Sequence, residues 1–134
     1  WAVVTVVTPE GEPYGVPVSV VRDGDNLYFH TAKEGKKIDA LKADPRVWVV
    51  CVGDVERAVH SFTTGYESAM FGGECREVTD ENEKVRALRL LCEKYTPQNM
   101  NNFDSAVEAS LPRTGVYRIK LLSSSGKAKV LKRQ

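Results

Sequence analysis

Residues 2–8 are an almost unbroken β-branched run (Ala2, Val3, Val4, Thr5, Val6, Val7, Thr8), which predicts a strand. Pro9, Gly11 and Pro13 end it. A second such run, 16–22, predicts the next strand. Its Pro17 has no N–H for a ladder, which puts that residue near an edge or at a strand start. Asp23-Gly24-Asp25-Asn26 predicts a hairpin loop, and Leu27 to His30 a third strand, so an antiparallel meander is expected. Residues 47–52 (Val47, Trp48, Val49, Val50, Cys51, Val52) form the most apolar run and predict a central strand. Residues 53–64 are of mixed polarity and read as a loop or frayed strand. Residues 66–78 read as a long strand whose Gly72-Gly73 pair marks a bulge, a bend or a close backbone approach. In the last strand, 115–122, Val116, Arg118 and Lys120 share one face and Tyr117, Ile119 and Leu121 the other. Ser123 to Gly126 is expected to break it, and 127–134 to be a solvated basic end.

Helical spacing appears in three places. Ile38 and Leu41 share a face in 35–43, a helix that must stop before Pro45. Val85, Leu88, Leu91, Cys92 and Tyr95 recur through 80–95, with Thr79 or Asp80 as cap and Glu83 placed for a capping box. Residues 103–110 predict a short third helix before Pro112. About six strands with few helices and closely spaced turns predict an antiparallel barrel, closed or nearly so, with the second helix packed on it.

Composition narrows the class. One domain suits 134 residues, and nineteen basic against eighteen acidic residues leave a net charge of +1. That balance gives no global attraction to nucleic acid or to a membrane surface, and no apolar run has the length of a membrane-spanning helix. Cys51, Cys75 and Cys92 are odd in number and widely spaced, as expected of reduced thiols in the cytoplasm rather than a disulfide framework or zinc site. Trp1 stands inside a predicted strand with no initiator Met, so a preceding natural segment is expected.

The chemistry concentrates where the third strand gives way to the first helix. Thr31, Gly35, Lys36 and Lys37 bring a hydroxyl, a free backbone and two cations to a helix start, where unpaired N–H groups and the positive end of the helix dipole favour an anion. A solvated turn with surface lysines has the same composition. Other chemistries lack support. Gly126-Lys127 has no upstream glycine of a Walker loop, no G-x-S-x-G elbow occurs, and His30 and His60 lack metal-ligand spacing, so no metal site is expected. Asp80, Glu81 and Glu83 are explained by helix capping.

Read in order, 13–19 (PYGVPVS), 27–32 (LYFHTA), Glu34-Gly35-Lys36-Lys37, Leu41 and Asp44-Pro45-Arg46-Val47 resemble the flavin-binding split barrels of the pyridoxamine 5′-phosphate oxidase superfamily, and more closely its 5-nitroimidazole-resistance (Nim) branch. Residues 62–68 (FTTGYES) with Gly72, 111–116 (LPRTGV), and Gly126-Lys127-Ala128 extend the resemblance over nearly the whole chain. It implies a mainly β fold, a six-stranded antiparallel split β-barrel with peripheral helices. It also implies a homodimer with FMN in two clefts at the subunit interface. By the same resemblance Lys37 matches the phosphate-binding lysine and Lys36 the adjacent basic position. Thr31 and Ala32 match strand-end positions along the flavin, and Val18 and Ser19 the neighbouring strand. Tyr66, Glu67 and Ser68 match a segment near the cleft, contributed across the dimer. Two positions depart from the oxidase pattern. Gly35 replaces the serine before the basic pair, and no arginine stands beside Val16 to Val20. With Gly35, phosphate contacts would rest on backbone N–H groups instead; the missing arginine points away from vitamin B6 oxidation and towards the Nim branch, where His30 is the expected pattern.

The resulting expectation is an FMN-dependent oxidoreductase acting on a small planar acceptor such as a nitroaromatic. His30 would be the catalytic group, able to hold or move a proton near neutrality. A non-catalytic flavin-binding module, and a haem-binding barrel with His30 or His60 as axial ligand, are the alternatives.

Overall fold

In the computed structural model, which describes residues 1–132, the strands are β1 (Ala2–Val7), β2 (Pro13–Val18), β3 (Val21–Asp23), β4 (Asn26–Ala32), β5 (Arg46–Arg57), β6 (Thr64–Glu77) and β7 (Thr114–Lys129). The helices are α1 (Lys36–Ala43), α2 (Glu81–Tyr95) and α3 (Phe103–Ser110), with short 3₁₀ turns at Pro97–Asn102 and Leu111–Arg113. One antiparallel sheet runs in the order β2-β1-β5-β6-β7-β4-β3.

The sheet's two outermost strands, β2 and β3, are consecutive in the chain and joined only by Ser19 and Val20. Laid flat, seven strands would hold their edges about 29 Å apart. A two-residue link reaches roughly 10 Å. The sheet must therefore roll until its edges meet, which makes the predicted split barrel. Seven strands replace the expected six because the run 16–22 is not one strand. Its first part pairs with β1 and its last with β4, so the expected meander is two hairpins on opposite edges. The demand for two different partners divides it at Ser19–Val20, while Pro17 lies within β2 opposite Val3.

Of the loop or frayed strand expected over 53–64, residues 58–63 form the connection and 53–57 continue β5. A bulge there sets one extra residue on β5 between Gly53 and Glu56, with Asp54 at φ 48°, a left-handed conformation that Asp tolerates. Ser123 to Gly126 do not break the last strand, because β6 offers them a complete ladder as far as Lys129. The irregularity is absorbed by one extra residue, Leu122, opposite Gly72/Gly73.

Strand alternation sorts the side chains into two cores. Inside the barrel lie Val4, Val6, Leu27, Phe29, Val49 and Ile119, closed by Ile38 and Leu41 of α1. Phe29 stacks on Tyr117 with ring centroids 5.6 Å apart. Outside it, Tyr28 and Val116 pack under Ala87, Leu88 and Leu91 of α2 and Phe103 of α3. Leu27-Tyr28-Phe29 is apolar without alternation because both faces of β4 are covered.

Polar contacts fix α2 to the barrel at each end. Asp80 caps the helix by accepting from the Glu83 N–H at 2.9 Å. The Glu83 carboxylate does not complete the capping box. It accepts instead from the Tyr28 hydroxyl (2.8 Å) and the Arg118 guanidinium (2.5 Å). Burial acts to raise the Glu83 carboxyl. Hydrogen bonds from Arg118 and Tyr28 and the charges of Arg118 and Arg86 outweigh it and hold the group below its ordinary 4.5. At the other end, Tyr95 (2.7 Å) and Lys94 (2.8 Å) both donate to the carbonyl of Val20, in the link between the sheet edges.

Three outcomes follow. A Cβ on Gly73 would lie 2.4 Å from the Lys120 carbonyl oxygen, whereas one on Gly72 would meet side chains, Trp48 at 2.8 Å and Ser123 at 2.7 Å. Gly73→Ala should cost about 2–3 kcal/mol, roughly 10 °C in Tm, and Gly72→Ala less, with a shift in Trp48 emission as the indole moves. Tyr95→Phe alone should cost about 1 kcal/mol, because Lys94 still satisfies Val20. Tyr95→Phe with Lys94→Met should cost more than the two single changes together in denaturant titrations. A depressed Glu83 stabilises the fold above its unfolded value and loses that contribution as pH falls through its folded one. Thermal melts should therefore weaken below about pH 4.5, and Glu83→Gln should flatten that acid limb while lowering Tm at neutral pH.

Candidate functional site

The end of β4 carries His30, Thr31 and Ala32, which pair with Val116, Gly115 and Thr114 of β7. Leu27 and Phe29 face the barrel interior, so Thr31 shares that face, while His30 lies with Tyr28 on the face turned to the helices. Continued past Val21, the β3–β4 register would set Ser19 opposite His30 and Val18 opposite Thr31. Pairing stops there, and the chain leaves for β2. Val18 and Ser19 on one side and His30, Thr31 and Ala32 on the other thus form the two lips of the split.

Beyond Ala32 the chain turns through Gly35, which caps α1 at φ 140°, a backbone that side-chain-bearing residues rarely adopt. Its carbonyl accepts from the N–H groups of Ile38 (3.0 Å) and Asp39 (3.1 Å). The N–H groups of Lys36 and Lys37, first in the helix, have no acceptor within it. A Cβ at Gly35 would meet nothing within 4 Å, so the approach to this backbone is open. Lys36 lies 4.5 Å over the Tyr14 ring, and Lys37 is half-buried. Among the described residues, neither lysine is ion-paired with a carboxylate. Two unneutralised cations and two free N–H groups around an open backbone are the donor set a phosphate needs. Across α1, the Asp-Pro-Arg turn is locked by Arg46 on Asp44, whose guanidinium and N–H hold the Asp44 carboxyl down at about 2.

Tyr66, Glu67 and Ser68 do not join this group within the chain. They pair with Lys129, Ala128 and Lys127 of β7, and about 40 Å of strand separates Lys129 from the β7 residue beside His30. His60 is equally remote, exposed in the turn between β5 and β6 beside the end of β7. The strand faces between these two regions leave Val3, Trp48 and Val52 exposed on one outward surface.

A cleft of about 540 Å³ that the sequence did not disclose opens between the β4–β7 ends and the helices. His30 and Thr114 stand on its sheet side, and Leu88, Leu91, Cys92, Met100, Phe103 and Val107 supply apolar walls. The periodic residues of α2 look the same in sequence whether they contact a filled core or a cleft, so no local signal marks it. Cys75 is buried and its thiol is pushed up to about 12, leaving it inert, whereas Cys92 is half-buried on the cleft wall. All three cysteines are free. Among the described residues, no group of three or more His, Cys, Asp or Glu side chains could hold a metal ion, and no helix is long and apolar enough to cross a membrane.

Comparison with solved structures places this architecture. A protein of Bacteroides thetaiotaomicron, described provisionally as a 5-nitroimidazole antibiotic resistance protein, superposes with a TM-score of 0.75 at 24% identity, covering 93% of this chain and 74% of that one. An FAD-binding protein of Mesorhizobium loti superposes at 0.67 with 23% identity over 96% and 86%. The flavocytochrome Anf3 of Azotobacter vinelandii superposes at 0.78 with 22% identity, covering 96% of this chain but only 61% of its own length. Identities this low establish the shared fold alone. No curated protein matches the sequence. The model of the family described as pyridoxamine 5′-phosphate oxidase matches residues 2–128, almost the whole chain, and this protein belongs to that family.

Proposed function

We propose that the protein is an FMN-dependent oxidoreductase of the Nim type, working as a homodimer in the cytoplasm and reducing a small planar acceptor such as a nitroaromatic. The observation that carries the reading is the pair Lys36–Lys37, without carboxylate partners, at a glycine-capped helix start directly after the strand end of the split. Bound there, FMN would supply the electron-transfer chemistry. The chain's own residues bind and orient. Lys36, Lys37 and their N–H groups hold the phosphate. Val18 and Ser19 on one lip and Thr31 and Ala32 on the other flank the ring. His30 stands beside ring or substrate and holds or moves a proton at its imidazole.

The separation of Tyr66, Glu67 and Ser68 from His30 supports the dimer, because these residues reach the flavin only from a second copy. The exposed apolar surface of Val3, Trp48 and Val52 supports it as well. One further reading has an observation in its favour. The His30 imidazole, in a fold shared with a flavocytochrome, also suits haem as an axial ligand, with the propionates outside the cleft, whose lining has no lysine or arginine.

Lys37→Ala should weaken FMN binding about 10- to 100-fold, the worth of a charge-assisted phosphate contact, while leaving the apoprotein's stability within about 0.5 kcal/mol. Unchanged FMN affinity would remove the phosphate assignment. Steady consumption of a reduced nicotinamide with a nitroaromatic present separates turnover from a flavin that is merely held.

A further inference from the structure

We propose that the cleft between the α2–α3 layer and the β4–β7 ends binds an uncharged, planar molecule bearing a hydroxyl or ring N–H. Its volume, about 540 Å³, lies in the range of small-molecule pockets. No Lys, Arg, Asp or Glu lines it. With no lysine or arginine on the lining, a ligand carrying a carboxylate or phosphate would give up hydration there for at most the one imidazole of His30. Lys36 and Lys37, the cations proposed for an anion, do not line the cleft.

The rim adds a direction to the selection. Three of its hydroxyls direct their single proton to helix carbonyls: Thr96 to Cys92 (3.3 Å), Ser110 to Ala106 (2.7 Å) and Thr114 to Ser110 (2.9 Å). Each oxygen keeps lone pairs but has no proton left to give, so these groups meet the occupant as acceptors. A ligand donor satisfies them, whereas an ether or a carboxylate does not; Asn99, Asn102 and His30 also line the cleft and bring donors of their own, so the selection for a ligand donor is made at the three hydroxyls. The apolar walls of Leu91, Met100 and Phe103 suit an aromatic ring. The inference rests on the cleft alone and holds whether or not flavin occupies the split.

The test uses the full chain as purified and three matched probes: 2-naphthol (neutral donor), 2-methoxynaphthalene (neutral, no donor) and 2-naphthoate (anion). Titration calorimetry should show saturable binding of 2-naphthol, about tenfold or more tighter than either congener, the worth of one hydrogen bond. The same probe should slow iodoacetamide alkylation of Cys92, read by peptide mass spectrometry, which needs no variant. Ala106→Trp, on the exposed cleft edge, should abolish binding. Thr114→Val should erase the preference over 2-methoxynaphthalene. The proposal is overturned by equal affinity for 2-naphthoate, by no saturable binding of 2-naphthol, by binding that survives Ala106→Trp in a folded protein, or by unslowed Cys92 alkylation. FMN retention measured on the same samples is a separate readout. Flavin retained without naphthol binding sinks only the cleft, and the converse only the flavin.

Discussion

The architecture depends on the two-residue link between β2 and β3. Ser19 and Val20 tie together strands that lie on opposite edges of a seven-stranded sheet, and no flat or gently twisted sheet meets that distance. Closure leaves the link outside the ladders, so its backbone groups need other partners. Helix α2 provides them, with Tyr95 and Lys94 converging on the Val20 carbonyl. The same helix reaches back through Glu83 to Tyr28 and Arg118, on the two strands that form the far side of the opening. Helix α2 is thus tied both to the link between the sheet edges and to β4 and β7, the strands beside the candidate site.

Strand β4 then divides the chemistry. Its period of two turns Leu27, Phe29 and Thr31 to the barrel and Tyr28 and His30 to the helices. Immediately after it, Gly35 turns the chain so that α1 starts with two free N–H groups and two lysines while Ile38 and Leu41 plug the barrel. The basic helix start, the end of β4 and the edge of the apolar cleft at His30 therefore fall within eight residues, 30–37. Their different electrostatic characters follow from which face each residue occupies. The cations stand at an open helix start, and the cleft under α2 and α3 has no charged side chain.

Much of this was legible in the residues. The β-branched run of β1, the apolar run of β5, the Asp80 cap, the Gly72-Gly73 irregularity and the basic helix start after β4 are local signals, and the structure contains each of them. What was not legible depends on partners far away in sequence. Residues 16–22 read as one strand, and only the competing claims of β1 and β4 divide them. Ser123 to Gly126 have the composition of a break, yet a paired neighbour carries the strand through them. Glu83 has the spacing of a capping box, but a tyrosine 55 residues away takes its carboxylate. Tyr66 to Ser68 carry a family signature that gives no distance, and the register sets them far from His30 within one chain. The cleft has no signature at all, because a helix stripe looks the same over a cavity as over a core.

The central claim is that the basic helix start and the lips of the split hold a flavin. The visible absorption spectrum of the purified protein, with the chromophore released by heat and identified, tests it most directly. The account predicts paired flavin bands and released FMN. A Soret band with released haem, or a colourless protein that takes up no added FMN, would contradict it.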